Sequence, residues 1–214
     1  MLYDCRTVAD RDRGIAAAVE AVKSGELVVL PTDTVYGIGA DAFTPHAVTA
    51  LLNAKGRGRN VPPPVLVGSR HTLDGLVYSL PKAARDLADA FWPGALTIIV
   101  EHSPSLQWDI GETTGTVGVR MPMHPVALEV LREVGPMAVS SANKHGQPAA
   151  TPAEEAREQL EYSVRVYLAA GPCPDPVPST IVDVTGDVPR ILRNGAIPLE
   201  KLRDVVPDLQ PAEG

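Results

Sequence analysis

Apolar residues in this chain gather in short unbroken runs, and between the runs they return at helical intervals. Leu27 to Leu30, Val65 to Val67, Leu96 to Val100 and Met137 to Val139 read as strands buried on both faces. Gly115 to Arg120, Val164 to Ala169, Thr180 to Asp183 and Arg190 to Arg193 read as further strands, the last two joined by a turn at Gly186 and Asp187. Ile15, Val19 and Val22 share one side of a helix over Arg11 to Ser24, which Gly25 ends. Thr44 and Pro45 open a second helix that turns Val48, Leu51 and Leu52 inward and stops near Lys55 and Gly56. Within Ser79 to Trp92 a helix starts near Pro81 and is stopped by Pro93-Gly94, and Pro125 to Val134 forms another with Val126, Val130 and Val134 in line. Thr151-Pro-Ala-Glu154 has the capping-box pattern and starts a helix to Leu160. A short final helix is expected from Leu199 to Val206, with a frayed tail after Pro207. About seven strands among five or six helices predict an α/β sandwich.

Composition narrows the class. With 214 residues, 44% of them hydrophobic, the chain can bury one sizeable core, so one domain is expected. No apolar stretch reaches the roughly 18 to 20 residues that cross a bilayer. The start lacks the basic-then-apolar layout of a signal peptide, and a cytoplasmic protein is expected. Cys5 and Cys173 are too few for a disulfide framework and have no Cys-x-x-Cys spacing. None of the five histidines forms a His-x-x-x-His pair, so no protein-built metal centre is expected. A formal charge of -7 argues against wrapping a nucleic-acid backbone.

Against that acidity, three cations within Lys55-Gly-Arg-Gly-Arg59 would draw a multiply charged anion such as a nucleoside triphosphate. A plainer alternative makes them a solvated helix end. Thr32, Thr34 and Tyr36 follow the first apolar run. Arg120, the Ser140 to Asn143 segment, and Ser179 with Thr180 mark other strand ends, where α/β proteins assemble ligand pockets. Gly37-x-Gly39 lacks the third glycine of a dinucleotide fingerprint, and Lys55-Gly-Arg57 does not complete a phosphate-binding P-loop. Ser140 and Ser141 stand outside a Gly-x-Ser-x-Gly elbow. Asp33 is open to use as a base, a magnesium-shell ligand or a turn cap, of which the cap is simplest.

Pro31-Thr-Asp-Thr-Val-Tyr-Gly-Ile-Gly, Lys55-Gly-Arg57, Phe91-Trp-Pro-Gly94, Val119-Arg-Met-Pro122, Ser140-Ser-Ala-Asn143 and Ser179-Thr-Ile-Val-Asp183 follow one another in that order. Through these segments, residues 10 to 197 resemble the YrdC/Sua5 family. The resemblance implies an α/β fold, a twisted mixed β-sheet flanked by helices with a concave ligand pocket. It also implies a single catalytic domain over residues 1–206, with 207–214 as a flexible tail. The implied activity is that of an L-threonylcarbamoyladenylate synthase, a nucleotidyltransferase taking L-threonine, bicarbonate or carbon dioxide, and ATP as substrate. Mg2+ is expected with the triphosphate. Separate proteins are expected to carry the product to tRNA adenosine 37, with direct tRNA binding weak or absent and no membrane association.

By the same resemblance Lys55 and Arg57 are the expected catalytic pair beside the ATP phosphates. Arg59, Thr116, Ser141, Asn143 and Arg193 are expected on the nucleotide. Thr34, Arg120, Ser140 and Ser179 are expected on the amino acid or its carbamate, with Thr32 and Tyr36 shaping that side. The chain departs from the family pattern at Gly58, where a proline is common, and at Pro64-Val-Leu-Val-Gly68, which lacks the family's histidine. A non-catalytic RNA-binding module is the main alternative. A hydrogenase-maturation domain is weaker, since its zinc-finger cysteines are missing.

Overall fold

A computed structural model of the chain describes residues 1–212. In chain order its elements are β1 (Leu2–Asp4), α1 (Val8–Lys23), β2 (Val28–Leu30), β3 (Gly37–Asp41), α2 (Pro45–Lys55), β4 (Val65–Leu66), α3 (Arg70–Leu76), α4 (Lys82–Phe91), β5 (Leu96–Glu101), β6 (Thr116–Arg120), α5 (Pro125–Val134), β7 (Met137–Ser141), α6 (Ala153–Leu160), β8 (Val166–Ala169), β9 (Thr180–Asp183), β10 (Arg190–Arg193) and α7 (Leu199–Arg203). One sheet takes up all these strands in the order β1-β8-β2-β3-β7-β4-β6-β5-β9-β10. It is mixed: β8 runs parallel to β1 and β2, β4 to β6, and β5 to β9, while the other pairs are antiparallel.

Alternation on β5, β6 and β9 separates core from cleft. Leu96, Ile98, Val119 and Val182 point into the main apolar cluster with Leu87 and Trp92. Leu96 and Ile98 are fully buried, and each contributes about 2 kcal/mol. The intervening residues Thr97, Ile99, Gly118 and Ile181 line the opposite side, with Ile99 paired to Gly118 and Thr97 to Ile181. Gly118 is closely packed, because a Cβ there would lie 3.1 Å from Thr97 Cγ2.

Helix boundaries follow local chemistry. α1 begins three residues before Arg11 because the Thr7 hydroxyl accepts the Asp10 amide at 3.4 Å. Its buried face is Gly14, Ala18, Ala21 and Val22, and the expected Ile15 and Val19 are only half-buried. Small residues are needed there, since a Cβ on Gly14 would meet Tyr3 Cβ at 2.8 Å. α2 ends where Gly56 takes φ 64, the left-handed cap position. At α6 the glutamate that closes on Thr151 is Glu155, whose Oε2 accepts the Thr151 amide at 3.1 Å, one residue beyond the Glu154 of the expected box.

β1 and α3 escape the hydrophobic pattern, each being too short to show a period. The expected flexible tail also differs. Leu209 is fully buried, Gln210 N donates to Pro189 O at 2.9 Å, and Ile191 N donates to Gln210 O at 2.9 Å. An apolar side chain and two backbone bonds hold 207–210 against β10; residues 213 and 214 lie outside the described residues.

Candidate active site

The loop after β2, the proline segment before β4, and strands β5, β6, β7, β9 and β10 enclose a cleft of about 420 Å³. That volume suits a small-molecule ligand. Of the expected site residues, Thr32, Thr34, Tyr36, Arg57, Thr116, Arg120, Ser140, Ser141, Ser179 and Arg193 all line it. The sheet gathers them from positions far apart in sequence.

Thr32 and Thr34 form a polar turn. Thr32 Oγ1 donates to Val35 O at 2.6 Å, accepts the Thr34 amide at 3.1 Å and lies 3.1 Å from Thr34 Oγ1. Arg120 reaches this turn from β6, donating through Nη1 to Thr34 Oγ1 at 3.0 Å and through Nε to Gly94 O at 3.0 Å. Its Nη2 pairs with Asp33 Oδ1 at 2.6 Å, and the same oxygen accepts the Met123 amide at 2.8 Å. Asp33 is therefore the counter-ion that fixes Arg120. Burial lowers the Arg120 pKa, and the Asp33 charge opposes that shift.

Arg193 also lines the cleft: its Nε and Nη2 both donate to Ser179 O, at 3.0 and 2.8 Å, and Nη2 also donates to Ser179 Oγ at 2.9 Å. Burial, then the Arg120 charge, lowers the Arg193 pKa. Arg57 Nη1 donates to Ser140 Oγ at 3.1 Å, while its buried Nε has no protein partner. Burial lowers its pKa too. Three guanidinium groups thus face a cleft whose lining contains no aspartate or glutamate. Arg120 is balanced by Asp33, while among the described residues Arg57 and Arg193 have no carboxylate partner, so the cleft draws anions.

Three expected ligand residues stand elsewhere. Lys55, 3% exposed, is absent from the lining and is not a solvated helix end. Its ammonium donates to Ser141 O, to Asn143 O at 2.7 Å and to Asn143 Oδ1 at 3.5 Å, so it holds the loop after β7 from beneath. Burial, then the Arg57 charge, pulls its pKa down to about 8. Asn143 Nδ2 is committed to Lys144 O and Gln147 O at 2.9 and 2.8 Å. Arg59 pairs with Asp109 Oδ1 at 2.5 Å on the surface. Tyr36 is fully buried in an apolar cluster and turns its hydroxyl to the backbone, donating to Gly171 O at 2.6 Å and accepting from Ala170 N at 2.9 Å. Burial pushes that phenol up to about 12.

The sequence reading missed Thr97, Pro62, Pro63, Ile110 and Pro178 as cleft residues. Thr97 had a signal, being the lone hydroxyl inside an apolar strand run. Ile110 and the prolines had none. Among the described residues no group of three or more His, Cys, Asp or Glu could hold a metal, and Asp33 is engaged by Arg120 and Met123.

A family model named Sua5_yciO_yrdC, described as "Telomere recombination", matches residues 20–195. The chain belongs to this family. Within the Sua5/YrdC group, a Mycobacterium tuberculosis H37Rv protein named "Putative threonylcarbamoyl-AMP synthase" is 60% identical over 95% of this chain and 94% of its own length. The Bacillus subtilis "Threonylcarbamoyl-AMP synthase" is 36% identical over 97% of this chain and 60% of its own. A solved structure of Pyrococcus abyssi Sua5 complexed with L-threonine superposes with a TM-score of 0.91 at 33% identity, covering 99% of this chain and 62% of that one. The chain thus spans about three fifths of the Bacillus and Pyrococcus proteins. The Sua5/YrdC sheet and its flanking helices are the expected α/β fold.

Proposed function

We propose that this Sua5/YrdC protein makes L-threonylcarbamoyladenylate from L-threonine, bicarbonate or carbon dioxide, and ATP, releasing pyrophosphate. The observation that carries this reading is the convergence of Arg57, Arg120 and Arg193 on one cleft free of lining carboxylates. A triphosphate and an amino-acid carboxylate together call for such a set of guanidinium donors, with Arg120 preset by Asp33 and the other two without a carboxylate partner among the described residues. The names of relatives at 60% and 36% identity, and the L-threonine held by the Pyrococcus protein, support the same chemistry.

In the reaction the threonine amine adds to bicarbonate with loss of water, giving a carbamate. A carbamate oxygen then attacks the α-phosphorus, a new P–O bond forms, and the bond to the β-phosphate breaks as pyrophosphate leaves. Arg57 and Arg193 are suited to the phosphate oxygens and Arg120 to the carboxylate. Alignment and charge stabilisation suffice, with no covalent enzyme intermediate. Lys55 acts by holding the Ser141 to Asn143 backbone. Mg2+ enters with ATP. The product goes to separate tRNA-modifying proteins in the cytoplasm, and binding of tRNA by this chain is weak, because the cleft arginines face inward and Arg59 is paired with Asp109.

The test is pyrophosphate release from MgATP, with L-threonine and bicarbonate supplied singly and together, and direct detection of the adenylate by mass. Release that needs both co-substrates is the expected result. Folded protein giving no adenylate under any combination overturns the proposal.

A further inference from the structure

Thr97 and Ser179 meet at the floor of the cleft, 4% and 5% exposed, with their hydroxyl oxygens 2.9 Å apart. Ser179 is held rigidly. Its carbonyl takes two donors from Arg193, and the flanking Pro178 O and Thr180 Oγ1 accept the Ala196 and Ile197 amides at 2.9 and 3.0 Å. Gly195 lets these segments approach, since a Cβ there would lie 2.4 Å from Pro178 O.

Counting hydrogens at the pair gives a definite result. Each hydroxyl has one O–H and two acceptor sites. Arg193 donates into Ser179 Oγ, filling one of its acceptor sites. The mutual contact consumes one of the two hydroxyl hydrogens, whichever oxygen donates. The second hydrogen has no protein acceptor among the described residues, and both side chains line the cleft. Thr97 also stands one residue before Ile98, whose register partner Val119 adjoins Arg120. The spare donor therefore stands on the strand next to Arg120, and both residues line the same cleft.

We propose that Thr97 is a positioning residue: it orients the Ser179 hydroxyl so that the pair presents one O–H to a carboxylate or carbamate oxygen of the amino-acid substrate. The proposal rests on the synthase reading. Thr97→Val keeps the branched shape that packs against Gly118 and replaces the hydroxyl by a methyl group. Losing the orientation of this donor to a charged oxygen raises the KM for L-threonine about tenfold or more, with the KM for ATP unchanged. Thr97→Ser restores the donor and is expected near wild type. Thr97→Cys, a weak donor of similar size, serves as the second variant and is expected to be impaired like valine.

The experiment measures both KM values, direct calorimetric binding of L-threonine, and the urea midpoint of the full chain for each variant. A selective threonine defect in the valine and cysteine variants, rescued by serine, bears the proposal out. Wild-type threonine binding in Thr97→Val and Thr97→Cys, or KM values for threonine and ATP rising together, overturns it while leaving the synthase reading intact. Wild-type protein that neither binds threonine nor makes adenylate overturns that reading and the proposal with it.

Discussion

Removing the Asp33 carboxylate strands a buried guanidinium. Asp33 and Arg120 side chains are 18% and 8% exposed, and Asp33→Ala should destabilise the fold by about 3 kcal/mol in urea titration. A loss below about 1 kcal/mol would show the pair to be solvent-screened. Lys55 makes a prediction of opposite character. Its folded pKa of about 8 lies below the ordinary 10.5, so between those values the unfolded chain binds a proton that the folded chain has released. Stability contributed by this residue therefore rises with pH across that window. Lys55→Met should flatten the rise, measured as the difference in slope of unfolding free energy against pH; equal slopes would place the ammonium in water. Both residues show what sequence conveys at this scale. Residue types named the cleft's arginines and hydroxyls well, because cations and hydroxyls at strand ends are few. They could not show that Lys55 turns under the loop after β7 while Arg57, two residues on, turns into the cleft. That divergence depends on how Gly56 reverses the chain.

Among the elements, those with a clear period or a proline and glycine boundary were legible. α5 runs from Pro125 to Val134 as the spacing predicts, and β5 follows its apolar run. α1 was foreshortened because its first turn is polar and held by a cap rather than by apolar spacing. Thr7→Ala should cost about 1 kcal/mol of stability in thermal or urea unfolding, an effect a merely solvated threonine would not produce. β1 was illegible for another reason: three half-buried residues carry no alternation, and the strand exists because β8 offers it a register, Leu2 to Tyr167 through Asp4 to Ala169.

At the level of the whole molecule, a chain of net charge -7 gathers Arg57, Arg120 and Arg193 at one concave site. Association with ATP should weaken as salt rises, while the stability of the apolar core should not fall in parallel. Raising ionic strength from about 0.01 to 0.15 M shortens the Debye length from about 30 to 8 Å, and the KM for ATP should increase severalfold across that range. An unchanged KM would locate nucleotide binding outside the arginine cleft. Strand order accounts for what no spacing could reveal about this site. Thr34, Arg120 and Asp33 touch only because β3, β7, β4 and β6 lie side by side.

The pairing of β1 and β2 with β8 also imposes a timetable on synthesis. Val28 and Val29 find their outer neighbours in Val166 and Tyr167, and Leu2 to Asp4 wait for Tyr167 to Ala169. At about 5 to 20 residues per second, translation leaves those early strands without that partner for on the order of ten seconds. The outer edge of β2 stays open on the ribosome until β8 emerges, so closure of the sheet there is a late event, and a nascent chain stalled before Val166 carries a bare β-edge for a neighbour to join.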